Sequence, residues 1–373
     1  MSWAYFHQKS QEMASAAHAA RLSDEQVRAN ELFSEAADYE IEAIKYLSLD
    51  EKPRTYGVTA VSAAALLYKA GRIQESESFS HSCLSAKALP GFAVDELREL
   101  LQVVWNEQAQ ADAGINFASG QVTVSVDGGE VVRGGAPLDL VVEKVQAIQS
   151  IFYRTAEFLK QIPLRRRGAA TKEIQDMCRP WLFQSVPGSY QFSVALQSPP
   201  QGDFFTDEKL NPELVSSTFM AILEAAASDP DVQLEGVVPS EDYRSTFLKL
   251  ARNLAPTGKS FTSLEIRSSH AKNAVVLTQD SRASMTRSIR EDRNARVGTP
   301  NFEVCELRGV LRAVHLEKDW LELATEFGLI RIADVGETID DVIGPMINHH
   351  VVVQALKVPK GYQFSDIELD GDT

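Results

Sequence analysis

Arginine is the residue type in this chain whose grouping could do chemistry. A planar guanidinium grips a phosphate or carboxylate through two parallel hydrogen bonds, so clustered arginines mark anion sites. Arg165, Arg166 and Arg167 follow Pro163 in an expected loop. Arg282, Arg287, Arg290, Arg293 and Arg296 populate an expected helix and its exit, partly neutralised by Glu291 and Asp292. Arg165, Arg166, Arg167, Arg287, Arg290 and Arg293 are the candidate residues for contact with an anion or a partner. No run of aromatics is interleaved with them, so a base-stacking surface is not expected.

Other motifs carry less. Ala255-Pro256-Thr257-Gly258-Lys259-Ser260 ends as a phosphate-binding loop ends, but Asn253 stands where the first glycine belongs. The expected order there is helix before and strand after, the reverse of the arrangement that aims a helix N-terminus at phosphate. Ser269 and Lys272 have the spacing of an acyl-transfer pair, yet fall between two expected strands, so a turn is the better reading. Gly188-Ser189-Tyr190 lacks the flanking glycines of a nucleophile elbow. His349 and His350 are adjacent, and neighbours in a strand point to opposite faces. One is expected to be packed and the other solvated. With no His-x-x-x-His, His-Glu-x-x-His or Cys-x-x-Cys spacing, no metal, cofactor or catalytic residue is assigned.

The elements that must position the arginines follow from pattern and composition. At 373 residues, 44% hydrophobic and 24% charged, the chain has the make-up of a folded protein with more than one core. Cys83, Cys178 and Cys305 are too scattered for a disulfide framework. No run is long and apolar enough to cross a bilayer, and residues 1–21 carry His7, Lys9, Glu12 and His18 where a secretory leader needs an apolar stretch. A cytoplasmic protein with no membrane contact is the expectation. The net charge of -15 is uneven: residues 1–114 hold 10 Lys/Arg against 17 Asp/Glu, 115–300 hold 21 against 21, and 301–373 hold 6 against 14. Nucleic acid is therefore disfavoured at either end and, if bound, belongs to the centre.

Three domains are expected: helical over 1–114, α+β over 115–298, and a small β-rich unit over 301–369. In the first, alanine and leucine recur at helical spacing. Ser23 with Asp24, Glu25 and Gln26 reads as a capped helix start running to about Leu47. A helix over Tyr56–Ala70 stops at Gly71, and others follow over Ile73–Lys87 and, after Pro90, from Val94. In the second, Val122, Val124 and Val126 alternate into Gly128-Gly129, a hairpin signal with a return strand to about Arg133. Helices are expected at 138–161, 212–228, 240–254 and 281–293, and strands at 180–184, 190–196, 261–267 and 273–278. The residues 185–189 are expected to turn the chain between two of these strands. There is no regular strand-helix cadence, which argues against a doubly wound parallel sheet. After Pro300 come five short strands and one helical insert, with Gly309 expected to mark a bend or bulge in the first.

Residues 56–90 resemble a tetratricopeptide-repeat hairpin: Ala63, Ala64, Leu67 and Tyr68, then Gly71 at the turn, then Phe79, Cys83 and Leu84. Ser76 replaces the usual alanine and the closing proline comes about two residues late. The last five strands are similar to a small SH3-like or OB-like barrel, which implies a shape without a function. The repeat resemblance implies a non-enzymatic adaptor that binds a partner protein through its helical N-terminal domain. A nucleic-acid-linked regulator using the arginine groups, and an enzyme with a dispersed site, are the alternatives.

Overall fold

The structure, a computed structural model, describes residues 2–23, 25–85, 89–112, 117–118, 120–132, 135–183, 190–198, 211–268, 273–297, 303–336 and 339–370. Two compact units emerge, the first being Met1–Ile115 and the second beginning at Asn116. The turn expected at 185–189, and Ser269 and Lys272, lie outside the described residues.

Five helices make the first unit: α1 (Trp3–Leu22), α2 (Gln26–Ile44), α3 (Pro53–Lys69), α4 (Ile73–Leu84) and α5 (Gly91–Asp112). Each packs on the next in chain order, and α3 also meets α5. Small residues let the helices approach: Ala17, Ala29, Ala36 and Ala37 surround the fully buried Phe33. Ala60, Ala64 and Ala93 pack with Cys83 and Leu97 in a second cluster, where burial pushes the Cys83 thiol up to about 11. Gly71 turns the chain with φ +78°, a left-handed conformation that glycine adopts without steric cost. Ser76 is buried and its hydroxyl donates to the Ala64 carbonyl at 2.9 Å, which satisfies a polar group in a place that alanine would fill. Ser23 does not start a helix as expected. It ends α1, its N–H reaching the carbonyls of Ala19 and Ala20, and α2 begins after Glu25 without a side-chain cap. The local capping signal lost because α1 runs up to it.

Gly57 sets the spacing of α3 and α5. A Cβ there would stand 3.0 Å from the Ala93 Cβ and 3.1 Å from the Phe92 ring. Gly57→Val is expected to cost about 1–3 kcal/mol by overpacking, measured as a lower urea midpoint. An unchanged midpoint would mean that the helices part freely at this point.

In the second unit the order is β1 (Val122–Asp127), α6 (Leu138–Leu159), α7 (Lys172–Met177), β2 (Pro180–Phe183), β3 (Tyr190–Leu196), α8 (Pro212–Ser228), α9 (Gln233–Val237), α10 (Glu241–Leu254), β4 (Ser263–Ser268), β5 (Val275–Leu277) and α11 (Gln279–Val297). The strands form an antiparallel sheet in the order β2-β3-β1-β4-β5. Valines 122, 124 and 126 are buried in a core that also takes in Phe152 of α6 and Phe219 of α8, whose rings stack at 4.1 Å. The hairpin expected at Gly128-Gly129 does not form: β1 pairs with β3 and β4, and Val132 makes only an isolated bridge to Gly135. Both glycines instead press against the 259–262 turn, where a Cβ on Gly129 would meet the Ser260 carbonyl at 2.6 Å.

The chain continues into β6 (Val304–His315), β7 (Trp320–Thr325), β8 (Gly328–Ala333), a π-helical turn Ile339–Ile343, a 3-10 turn Gly344–Met346, β9 (His350–Val358) and β10 (Gly361–Leu369). β6 pairs antiparallel with β7 and β9, β7 with β8, and β9 with β10. β10 also meets β8 in a two-residue parallel register, Tyr362 with Ile332 and Gln363 with Ala333. The bulge in β6 falls between Leu311 and Ala313 rather than at Gly309. Gly309 has another use, since a Cβ there would lie 2.3 Å from the Ala324 carbonyl of β7. The core of the α+β part and that of the last five strands form one continuous cluster.

Candidate functional site

Two surfaces stand out, one on each unit. On the first, Phe6 stacks on Tyr46 at 5.4 Å and meets Tyr5 edge-on at 5.3 Å. Tyr5 and Tyr46 are 50% and 51% exposed, so this aromatic group is presented to solvent rather than packed away. Cations on these helices are locally committed: Lys9 pairs with Glu12 at 2.7 Å, Lys45 with Glu42, and Arg28 with Glu25 at 3.1 Å. Arg72 is held by Asp38 and Glu75, both at 2.6 Å, which ties α2 to the start of α4. Further acids are taken by neutral donors: the Trp105 indole donates to Glu77 at 2.6 Å and the Tyr68 hydroxyl to Glu107. Burial, then Glu107, raises the Tyr68 phenol well above its ordinary value. Inside, Glu40 is fully buried and accepts from His7 at 3.0 Å, while Trp3 stacks on His7 and donates to Thr59 at 3.2 Å.

On the second unit the arginine tripeptide is split by its surroundings. Arg165 turns inward to Glu157 at 3.0 Å and Asp341 at 3.8 Å. Arg154, fully buried, donates from Nε to Asp341 at 2.7 Å and from Nη1 to Glu157 at 3.1 Å. Two guanidinium groups and two carboxylates thus alternate, with Ser150 adding a hydrogen bond to Asp341 at 3.3 Å. Arg167 donates to the Leu316 carbonyl, and Arg166 is exposed. The three do not make one patch.

The α11 arginines divide as well. Arg282 is buried, donating to the Arg252 carbonyl at 2.6 Å and to Glu368 at 3.4 Å, and burial, with the charge of Arg252 beside it, lowers its pKa. Arg287 and Arg290 are exposed and border a depression of 360 Å³. The side chains of Arg293 and Arg296 lie outside the described residues.

A larger open cleft of 1070 Å³ lies between the first turns of α6, the 257–261 turn and residues 345–350. His349 and His350 both line it and both are exposed, against the expectation that one would be packed. β9 starts only at His350, so the strand alternation assumed for the pair does not apply. At the base is Lys144, its side chain 4% exposed, donating to Glu143 at 2.8 Å and to the Asn253 carbonyl at 3.0 Å, with the Phe261 ring 5.0 Å away. Burial lowers its pKa. Sequence reasoning passed over Lys144 and Arg154. Their signal was a cation on the apolar stripe of α6, in register with Leu140, Ile148 and Ile151. Among the described residues no group of His, Cys, Asp and Glu could hold a metal ion, and no helix is long and apolar enough to cross a membrane. Compared with known proteins, the chain matches no protein family, no curated protein and no solved structure.

Proposed function

We propose that the protein is a non-enzymatic interaction subunit whose helical N-terminal unit receives a basic segment of a partner protein. The observation that carries this reading is the solvent-facing group Tyr5, Phe6 and Tyr46 on a unit with 10 Lys/Arg against 17 Asp/Glu. Tyrosines give large, rigid contact area at low entropic cost, and the excess of acids steers a cationic partner towards them. The cations of α1 and α2 are mostly neutralised by neighbouring carboxylates and leave that excess in place. Helices that pack in chain order around small residues are in keeping with a tetratricopeptide-like stack, for which Gly71 and Ser76 play the turn and close-packing parts. The ring of strand pairings from β6 to β10 supports reading the last five strands as a small SH3-like or OB-like barrel in the same subunit. The nucleic-acid reading is weakened because Arg165 and Arg282 are occupied by internal carboxylates.

The test is selection of displayed peptides on the full-length protein at low salt. Lysine-rich peptides with an aromatic or aliphatic anchor are expected. Tyr5→Ala with Tyr46→Ala should weaken them by ten-fold or more, since such anchors contribute about 2 kcal/mol or more each. Enrichment of acidic or uncharged peptides, or affinity untouched by the double substitution, would overturn the proposal.

A further inference from the structure

The geometry points to a second site: the outer face of α11 binds the phosphoryl group of a small phosphorylated molecule, gripped by Arg287 and Arg290 over a floor of Ala283 and Thr286. Ala283, Thr286, Arg287 and Arg290 stand at i, i+3, i+4 and i+7, so they share one side of the helix. Their depression has a volume of 360 Å³, and Ala283, which ends at a methyl group, is the shortest of the side chains lining it. Neither Arg287 nor Arg290 has a hydrogen-bond or ion-pair partner among the described residues. That sets them apart from Arg154, Arg165, Arg252 and Arg282, each of which is bound to a carboxylate of the chain itself.

The inner wall is built rather than incidental. Arg282 is fixed by the Arg252 carbonyl and Glu368, and among the described residues Glu368 is the one acid lining the depression. It offsets the charge of Arg282 and leaves two guanidinium charges facing outwards. Gln279 closes one end, its amide donating to the Thr257 carbonyl at 2.7 Å. That contact needs Gly258, where a Cβ would overlap the Gln279 amide at 1.5 Å. Two forks and the Thr286 hydroxyl offer donors for a dianion with three oxygens, a better match than a single carboxylate. A small ligand fits better than a nucleic-acid strand, because residues 301–373 carry 6 Lys/Arg against 14 Asp/Glu and repel an extended polyanion.

The full-length chain is titrated calorimetrically with pyrophosphate and with inorganic phosphate. Arg287→Gln with Arg290→Gln is expected to weaken pyrophosphate binding by about ten-fold or more, from the loss of charge-assisted hydrogen bonds. Ala283→Leu, which keeps every charge and fills the floor, should do the same, while Arg166→Gln on the exposed loop leaves binding unchanged. Circular dichroism checks that each variant is folded. The site is refuted if no binding is seen at millimolar concentration, if Arg166→Gln weakens it equally, or if the α11 variants leave it intact. Tighter binding of a single-stranded oligonucleotide, lost in the same α11 variants, would replace the small ligand with nucleic acid. None of these outcomes depends on the helical unit, so the reading proposed for it stands or falls separately.

Discussion

Asp366→Ala is expected to destabilise the second unit by about 3–5 kcal/mol, the cost of removing one partner of a buried ion pair. Asp366 and Arg252 are both buried, and two hydrogen bonds join them at 2.6 and 3.2 Å. Arg252 also donates to the Ile367 carbonyl at 2.6 Å, so α10 is fastened to β10 at two points. Without the carboxylate, a guanidinium would remain in a site that water does not reach, and the desolvation cost of that charge is what the experiment reads. Replacing both partners, Arg252→Met with Asp366→Leu, should cost less than Asp366→Ala alone, because apolar groups of similar volume leave no charge behind. Urea unfolding separates the cases: a lower midpoint at unchanged slope is a loss of stability alone. A cost under about 1 kcal/mol would place the pair in solvent.

The same pair sets an acid limit. Burial by itself would raise the Asp366 pKa, but the charges of Arg252 and Lys249 and the hydrogen bonds from Arg252 and Ile367 outweigh it, and the net shift is downward. A carboxyl whose folded value lies below its unfolded value of about 3.9 contributes fully above that value and loses its contribution as pH falls through the folded one. The stability gap between the parent chain and Asp366→Ala should therefore be constant near neutrality and narrow below about pH 4.

Much of the fold was written in local pattern. Alanine and leucine at helical spacing placed α2 to α5, and the five short strands expected after Pro300 are β6 to β10. What local pattern could not carry was partnership. Gly128-Gly129 signalled a hairpin, yet β1 found β3 and β4, strands more than sixty residues away in sequence. Ser23 has the chemistry of a helix start, and an oncoming helix made it a helix end. The arginines show this most plainly. Arg165 and Arg166 are identical neighbours in sequence, but one meets Glu157 and Asp341 and the other faces water. Arg287 and Arg290, expected on the same helix, stay exposed beside a depression that only Glu368 of the last strand reaches from a distant segment among the described residues.

Arg154→Met should cost about as much as Asp366→Ala, roughly 3–5 kcal/mol, for a related reason. Arg154 stands 187 residues from Asp341 in sequence, and it joins α6 to the π-helical turn that precedes β9. Take it away, and the buried Glu157 and the nearly buried Asp341 keep one cation, Arg165, itself 3.8 Å from Asp341, and the Ser150 hydroxyl. The network is coupled, so Asp341→Asn made in the Arg154→Met background should cost less than in the parent, by about 0.5–3 kcal/mol. Added salt should leave the Arg154→Met cost unchanged, because groups out of contact with solvent are poorly screened. Hydrogen exchange gives the local readout: amides of residues 339–346 should exchange faster in the variant, while those of β1 and β3 keep their protection relative to global unfolding. Costs that simply add in the double substitution, or that vanish in salt, would mean that the four charges are near one another without holding the turn to α6.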